Sequence, residues 1–283
     1  MPRNILITGT STGLGIALAV QAAQAGFKVY ATMRDLTRRA ALDTALESAG
    51  VAAEVLQLDV RDTASIQTAV DHIIAADGHI DVLLNNAGAG YVRTTEQAPE
   101  DEVTWVMDVN FHGVARCVKA VMPHMRQARA GHIVTISSVG GLVGQPFNEF
   151  YCAAKFAVEG YMESMASYIT PSFGINFTVV EPGGIATEFA NNVMKQIGET
   201  GGLIEDEYLP ILQSYIGSRE GRDEGVFQTA DEVAEVTLNA ILSDTPPLRT
   251  RTSEWSENLC RLKTDLDPTG LKLRDKVSAE FLS

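Results

Sequence analysis

The chain has 283 residues, of which 45% are hydrophobic, 20% charged and 7% aromatic. That profile describes a globular protein, not a disordered, collagen-like or solenoid chain, and a chain of this length buries roughly three quarters of its unfolded surface. Thirty-six acidic against 22 basic side chains give a formal charge of −14, which argues against nucleic acid and anionic membrane surfaces as partners.

From residue 4 to about 180, short apolar runs alternate with longer helical patterns. The first strand is predicted at Ile5-Leu6-Ile7, followed by a glycine-rich turn and a helix from Leu14 to Ala25 that Gly26 ends. Further strands are predicted at 28–32, 54–58, 81–84, 132–136 and 176–180. Helical patterns fall near 36–49, 63–76, 100–127 and 151–169. Strand, helix, strand repeated in this way predicts an α/β fold, a doubly wound parallel sheet of Rossmann type with helices on both faces. The uninterrupted apolar character of the strands agrees with burial on both sides. A single domain over 1–283 is expected. Residues 188–225 form a looser excursion, either a solvated surface loop or a lid beside the substrate, and 226–283 a C-terminal extension. A helix is predicted at 230–243, and Pro246-Pro247-Leu248-Arg249 opens a short edge strand.

Cys117, Cys152 and Cys260 are scattered and odd in number, so neither a disulfide framework nor a metal-ligand spacing is legible. No run of 18 apolar residues and no signal-peptide pattern is seen. A cytoplasmic protein without a membrane span, acting on a small molecule, is the expectation.

The first strand runs into Thr8-Gly9-Thr10-Ser11-Thr12-Gly13-Leu14-Gly15. Glycines serve where backbone turns tightly and a pyrophosphate approaches closely, and the following helix offers unpaired N–H groups to that anion. Gly15 has a second reading as a helix–strand packing residue. The spacing TGxxxGxG departs from GxGxxG and from TGxxGxxG. It resembles the fingerprint of the classical short-chain dehydrogenases/reductases.

Four further motifs carry the same resemblance. Asp59-Val60 closes the third strand, where the family places an adenine contact. Asn85-Asn86-Ala87-Gly88 closes the fourth and resembles the family's NNAG cofactor-lining motif. Pro182-Gly183-Gly184-Ile185-Ala186-Thr187 resembles PGxxxT, which implies nicotinamide contacts from Ile185 and Thr187. Ser138 and Tyr151-Cys152-Ala153-Ala154-Lys155 match the catalytic motif, and Asn110 the fourth catalytic position. The thirteen-residue spacing to Tyr151 favours Ser138 over Ser137. The resemblance covers about residues 4–190. Residues 30–35 and 138–160 are closest in pattern to the estradiol-type 17-beta-hydroxysteroid and retinol dehydrogenases, which implies NADP(H) and bulky apolar alcohols or ketones.

The residues themselves agree with that chemistry. Tyr151 and Lys155 share a helix face. A phenol titrates near 10 when unperturbed, and a neighbouring ammonium favours tyrosinate. The resemblance implies that Ser138 polarises the substrate oxygen and that Asn110 holds a water that relays protons to Lys155. Arg34, at the end of the second strand, is placed to grip a 2′-phosphate, so NADP(H) is favoured over NAD(H), although Asp35 could neutralise it. Two other readings stay open: an NAD(H)-dependent alcohol dehydrogenase of the same family, and a non-catalytic dinucleotide sensor. Val139, Val143, Phe147, Tyr91 and Met194 are candidate pocket residues, the valines equally suited to the core. The helices near 100–127 and 151–169 form the family's dimer interface, which implies a homodimer or homotetramer.

Overall fold

The computed structural model describes residues 3–187, 197–198, 202–220 and 227–282. The central sheet has seven strands in the order β3-β2-β1-β4-β5-β6-β9, all parallel. They are β1 (Asn4–Thr8), β2 (Lys28–Met33), β3 (Glu54–Gln57), β4 (Val82–Asn85), β5 (Gly131–Ile136), β6 (Ile175–Glu181) and the edge strand β9 (Arg249–Arg251). A two-residue ladder pairs β7 (Gly184–Ile185) with β8 (Phe227–Gln228).

Alternation along the strands builds two cores. Leu6, Tyr30, Leu83, Ile133 and Phe177 face one layer of helices: α3 (Thr63–Asp77), α5 (Gly113–Ala128) and α6 (Glu149–Phe173). Ile5, Ile7, Val29, Val82, Leu84 and Val134 face the other, made by α1 (Gly13–Gln24), α2 (Ala40–Ala49) and α8 (Ala230–Leu242). The central strands β1, β4, β5 and β6 are apolar at most positions because both faces are covered, whereas the edge strands β3 (EVLQ) and β9 (RTR) carry polar and charged residues. Strand order reverses between β1 and β4, and the crevice outside their carboxyl ends is where such sheets bind ligands.

Most predicted elements stand within a residue or two of the observed ones, but the helix predicted at 151–169 extends over Glu149–Phe173, and four other regions differ. The 36–49 pattern opens as a 3₁₀ turn at Leu36–Arg38, capped by the Asp35 carboxylate, which accepts from the Thr37 N–H at 2.9 Å and its hydroxyl at 2.7 Å. The 100–127 pattern is α4 (Glu100–Met107), a π-helical turn at Asp108–His112, and α5. Periodicity cannot reveal a single inserted residue in a helix, and such bulges gather at functional sites. Within the loose region lies α7 (Leu209–Glu220). The C-terminal extension, illegible in the sequence, holds α9 (Glu254–Thr264) and α10 (Leu271–Leu282).

Candidate active site

The glycine turn leaves β1 and enters α1 with Thr12 at the N-cap position. Thr12 makes no capping hydrogen bond through its side chain, and the first turn of α1 carries no acidic residue. Neither the N-cap side chain nor an acidic residue of the first turn thus occupies its leading N–H groups, which suits an anionic phosphate. The turn is closed by contacts that only glycine permits. A Cβ on Gly15 would lie 2.1 Å from the Gly9 carbonyl oxygen and 2.8 Å from Asn86 Nδ2; Gly9 itself has φ +74. The absence of a side chain on Gly15 lets α1 come close enough for the turn to exist.

Asn86 locks this turn to the end of β4. Its Nδ2 donates to the carbonyls of Thr8 at 3.0 Å and Gly9 at 2.9 Å, while its own N–H and that of Ala87 both donate to Thr8 Oγ1 at 3.1 Å. Across the crevice, a Cβ on Gly13 would lie 3.0 Å from Thr187 Cβ, so the glycine turn and the Pro182–Thr187 segment meet. The backbone behind that segment is fixed by Val139 N–H donating to the Pro182 carbonyl at 2.9 Å and by Ile185 pairing with Gln228.

At the end of β3, Arg61 holds Asp59 through its backbone N–H at 2.9 Å and a guanidinium contact at 3.1 Å. Burial alone would raise this carboxyl; the hydrogen bonds and charge of Arg61 carry it below the ordinary carboxylate range. Val60 is buried against Gly113 of α5. Arg34 is exposed beyond β2 and pairs with no carboxylate among the described residues. Asp35 is occupied by Thr37, so the neutralisation that the sequence left open is not seen as an ion pair.

Ser138, Tyr151, Lys155 and Asn110 converge beside this cradle. A methyl group placed on Gly140 would touch Ser138 Oγ at 3.3 Å and Tyr151 Cε1 at 3.4 Å. The Gly140 N–H donates to Ser138 Oγ at 3.0 Å and fixes its lone pairs. The Lys155 ammonium lies 5.7 Å from the Tyr151 ring centroid and donates to the Ile136 carbonyl at 2.9 Å. Burial lowers the pKa of Lys155 to about 8. A probe at Gly88 meets Asn110 Oδ1 at 3.0 Å and Lys155 Nζ at 3.7 Å, so these three share one corner. Ser137, the competing serine, has its hydroxyl against Gly141 and Glu159, one turn away from the Tyr151 side.

Asn110 sits in the π-helical turn. Its Nδ2 donates to the Ala89 and Val106 carbonyls, each at 2.9 Å, and its Oδ1 accepts from the Ala89 N–H at 3.0 Å. It therefore stitches the end of the NNAG segment to the helix whose bulge presents it.

Of the candidate pocket residues, Val139 and Val143 pack with Leu142, Cys260 and Trp255, which makes them core. Tyr91 is buried, its ring edge-on to Phe150 at 6.2 Å. Phe147 holds φ +62 and meets Tyr215 of α7 at 5.9 Å, while Asn148 Nδ2 donates to the Tyr215 hydroxyl at 3.1 Å. Met194 lies outside the described residues. Sequence reading missed Tyr215, Arg93, whose guanidinium donates to the Gly202 carbonyl at 3.0 Å, and the charge cluster of buried Glu159, Glu181 and Arg251 with half-buried Arg249. Three of the last four had a signal: Glu159 continues the Tyr151–Lys155 helix face, and the two arginines lie two apart on one strand face.

Residues 3–198 match the pattern of the family described as short chain dehydrogenase. The chain belongs to that family. It is an oxidoreductase acting on CH–OH groups. It is 41% identical over 275 residues to retinol dehydrogenase 8 of Bos taurus, covering 95% of this chain and 87% of the relative. It is 38% identical over 272 residues to 17-beta-hydroxysteroid dehydrogenase type 1 of Homo sapiens, covering 94% and 82%. Among solved structures, an actinorhodin polyketide ketoreductase with NADPH superposes with TM-score 0.71 at 27% identity, over 84% of this chain and 89% of that one. A nicotinamide dinucleotide is thus the supported cofactor, and the glycine turn with its open α1 N-terminus fits its pyrophosphate.

Proposed function

We propose that this oxidoreductase is NADP(H)-dependent and interconverts a carbonyl and a secondary alcohol on a bulky apolar, steroid-like or retinoid-like substrate. The carrying observation is the meeting of Ser138 Oγ and the Tyr151 ring at Gly140, with the buried Lys155 ammonium 5.7 Å from that ring. When bound, the nicotinamide supplies or accepts the hydride. Ser138 hydrogen-bonds the substrate oxygen, its hydroxyl oriented by the Gly140 N–H. In reduction Tyr151 gives its phenolic proton to that oxygen; in oxidation the tyrosinate takes it back, its charge favoured by Lys155. Asn110 holds the Gly88–Ala89 backbone that borders Lys155, and we assign it the water of the proton relay. Gly9, Ser11, Thr12, Gly13 and Leu14 would receive the pyrophosphate, Asp59 and Val60 the adenine, Asn86, Ala87 and Gly88 the nicotinamide ribose side together with Tyr151 and Lys155, and Pro182, Gly183, Ile185 and Thr187 the carboxamide.

The test is a screen of NADPH consumption over steroids, retinoids, aromatic ketones, aldehydes and quinones, repeated with NADH. The apolar range follows from the relatives named above. A hundredfold preference for NADH would overturn the cofactor assignment. Arg34 supports that assignment because it is exposed at the end of β2 and, among the described residues, forms no ion pair with a carboxylate. Two charge-assisted hydrogen bonds to a 2′-phosphate predict that Arg34→Ala weakens NADPH binding about 30-fold and NADH binding less than about twofold. Fluorescence titration with both cofactors measures it, and equal losses would show that Arg34 does not read the phosphate.

We further infer one domain over residues 1–283, with 188–225 beside the substrate and 226–283 as an extension, in a cytoplasmic homodimer or homotetramer built on α5 and α6. The exposed aromatics Phe156 and Tyr168 on α6, at 40% and 45%, support an interface there. Light scattering at micromolar concentration should give twice or four times the chain mass, and a monomer would count against it.

A further inference from the structure

The densest charge cluster outside the proposed catalytic group lies one turn further along α6. Glu159, 5% exposed, faces Glu181, fully buried at the end of β6. Both arginines of β9 reach them. Arg251 Nη1 lies 3.1 Å from Glu181 Oε2, and Arg249 Nε lies 3.7 Å from Glu181 Oε1 and 3.6 Å from Glu159 Oε2. These guanidinium groups are shared: Arg249 also pairs with Glu163 of α6, and Arg251 with Glu257 of α9 at 2.5 Å. From α9, Cys260 also faces the cluster as a neutral thiol, its pKa pushed up to about 11 by burial and then by Glu181. From the end of β5 comes Ser137, and on α6 itself Lys155 stands one turn before Glu159. A methyl on Gly141 would lie 2.7 Å from Ser137 Oγ and 2.9 Å from Glu159 Oε1, which puts hydroxyl and carboxyl side by side.

Hydrogen-bond accounting shows what is missing. Among the described residues, both Glu159 oxygens, Glu181 Oε1 and Ser137 Oγ are buried without a hydrogen-bond partner. Two ionised carboxylates only accept, so facing each other they leave those atoms orphaned and repel. One proton resolves both problems. A protonated Glu159 donates to Glu181, and its other oxygen accepts from Ser137. Two guanidinium groups serving four carboxylates cannot do the same.

We propose that Glu159 and Glu181 share a single proton, carried on Glu159, and that this neutral carboxyl is the positioning residue that sets the charge of Lys155. Burial first, and the neighbouring Glu181 charge second, raise the Glu159 carboxyl well above its ordinary range, in agreement with the geometry. An ionised Glu159 would pull the Lys155 pKa upward, whereas a neutral one leaves burial to hold it down. With that proton in place, a hydrogen-bonded line from Ser137 through Glu159 and Glu181 to Arg251 would tie β5, α6, β6 and β9 together just behind the proposed catalytic face. The inference rests on Lys155 being the cation beside Tyr151.

Infrared difference spectroscopy of the full-length protein at neutral pH should show a protonated carboxyl C=O stretch that shifts in D2O and is lost in Glu159→Gln. Glutamine is isosteric and neutral, so Glu159→Gln keeps kcat/KM within about threefold and leaves the alkaline limb of its pH profile in place. Glu181→Gln removes the proton-sharing partner. Glu159 then ionises against Arg249, the band disappears, and the alkaline limb moves up by about one pH unit. The double variant Glu159→Gln/Glu181→Gln restores the limb. A wild-type protein without the band, or a Glu159→Gln variant whose limb moves as in Glu181→Gln, overturns the proposal. Should a variant fail to fold, the wild-type spectrum decides alone, and it needs no turnover. Absence of turnover in a wild-type protein that shows the band would instead count against the redox reading.

Discussion

Tyr151→Phe should lower kcat for carbonyl reduction by about a thousandfold while leaving NADPH affinity within about twofold. The substitution removes one hydroxyl and keeps the ring that packs beside Gly140. What is lost is the proton donor to the substrate oxygen. Ser138 does not replace it, because an alcohol is a far weaker acid than a phenol, and its Oγ is already oriented as an acceptor of the Gly140 N–H. Stopped-flow reduction together with a fluorescence titration separates the two quantities. Full activity with intact binding would remove Tyr151 from the mechanism.

The second large effect has two opposite signs in one variant. Lys155 is 5% exposed and its pKa is lowered by burial from 10.5 to about 8. A lysine whose folded pKa lies below its unfolded value destabilises the fold. The penalty is fully present below pH 8 and fades as pH rises toward the unfolded value. It amounts to roughly 3 kcal/mol at neutral pH, reduced by the hydrogen bond to the Ile136 carbonyl that the ammonium makes. Lys155→Met removes the penalty and that bond together, for a net gain of about 1–2 kcal/mol. The cofactor-free variant should melt roughly 2–6 °C above wild type at pH 7, and the difference should vanish near pH 10. Turnover falls by about a hundredfold to a thousandfold, since Tyr151 loses the cation that favours its anionic form. A variant that melts below wild type at pH 7 would contradict the burial cost.

These two expectations use residues that the sequence presented openly. Tyr151 and Lys155 lie on one helix face by spacing alone, and Ser138 follows a strand that reads as apolar on its own. The glycine turn is legible because its positions are set by backbone sterics: Gly15 abuts the Gly9 carbonyl and no side chain fits. Less accessible was the bulge that presents Asn110, since one extra residue in a helical turn leaves the apolar pattern almost intact. The choice between Ser137 and Ser138 was reached by spacing, and the physical separation appears only when Gly140 and Gly141 are seen to point the two hydroxyls to different neighbours. Asp35 shows the converse case. Adjacent in sequence to Arg34, it turns its carboxylate to Thr37 and caps a turn.

Local spacing and periodicity by themselves determined the α/β class, the positions of the first six strands along the chain, the glycine-rich turn after the first of them and the Tyr-x-x-x-Lys helix face, because each depends on residues near one another in the chain; the order of those strands in the sheet came from the tertiary structure. Tertiary structure alone decided that Glu159, Glu181, Arg249 and Arg251 form one buried cluster, because α6, β6 and the edge strand β9 are brought together only by the completed sheet. Burial there depends on the whole fold, and burial is what turns ordinary surface charges into groups with altered protonation.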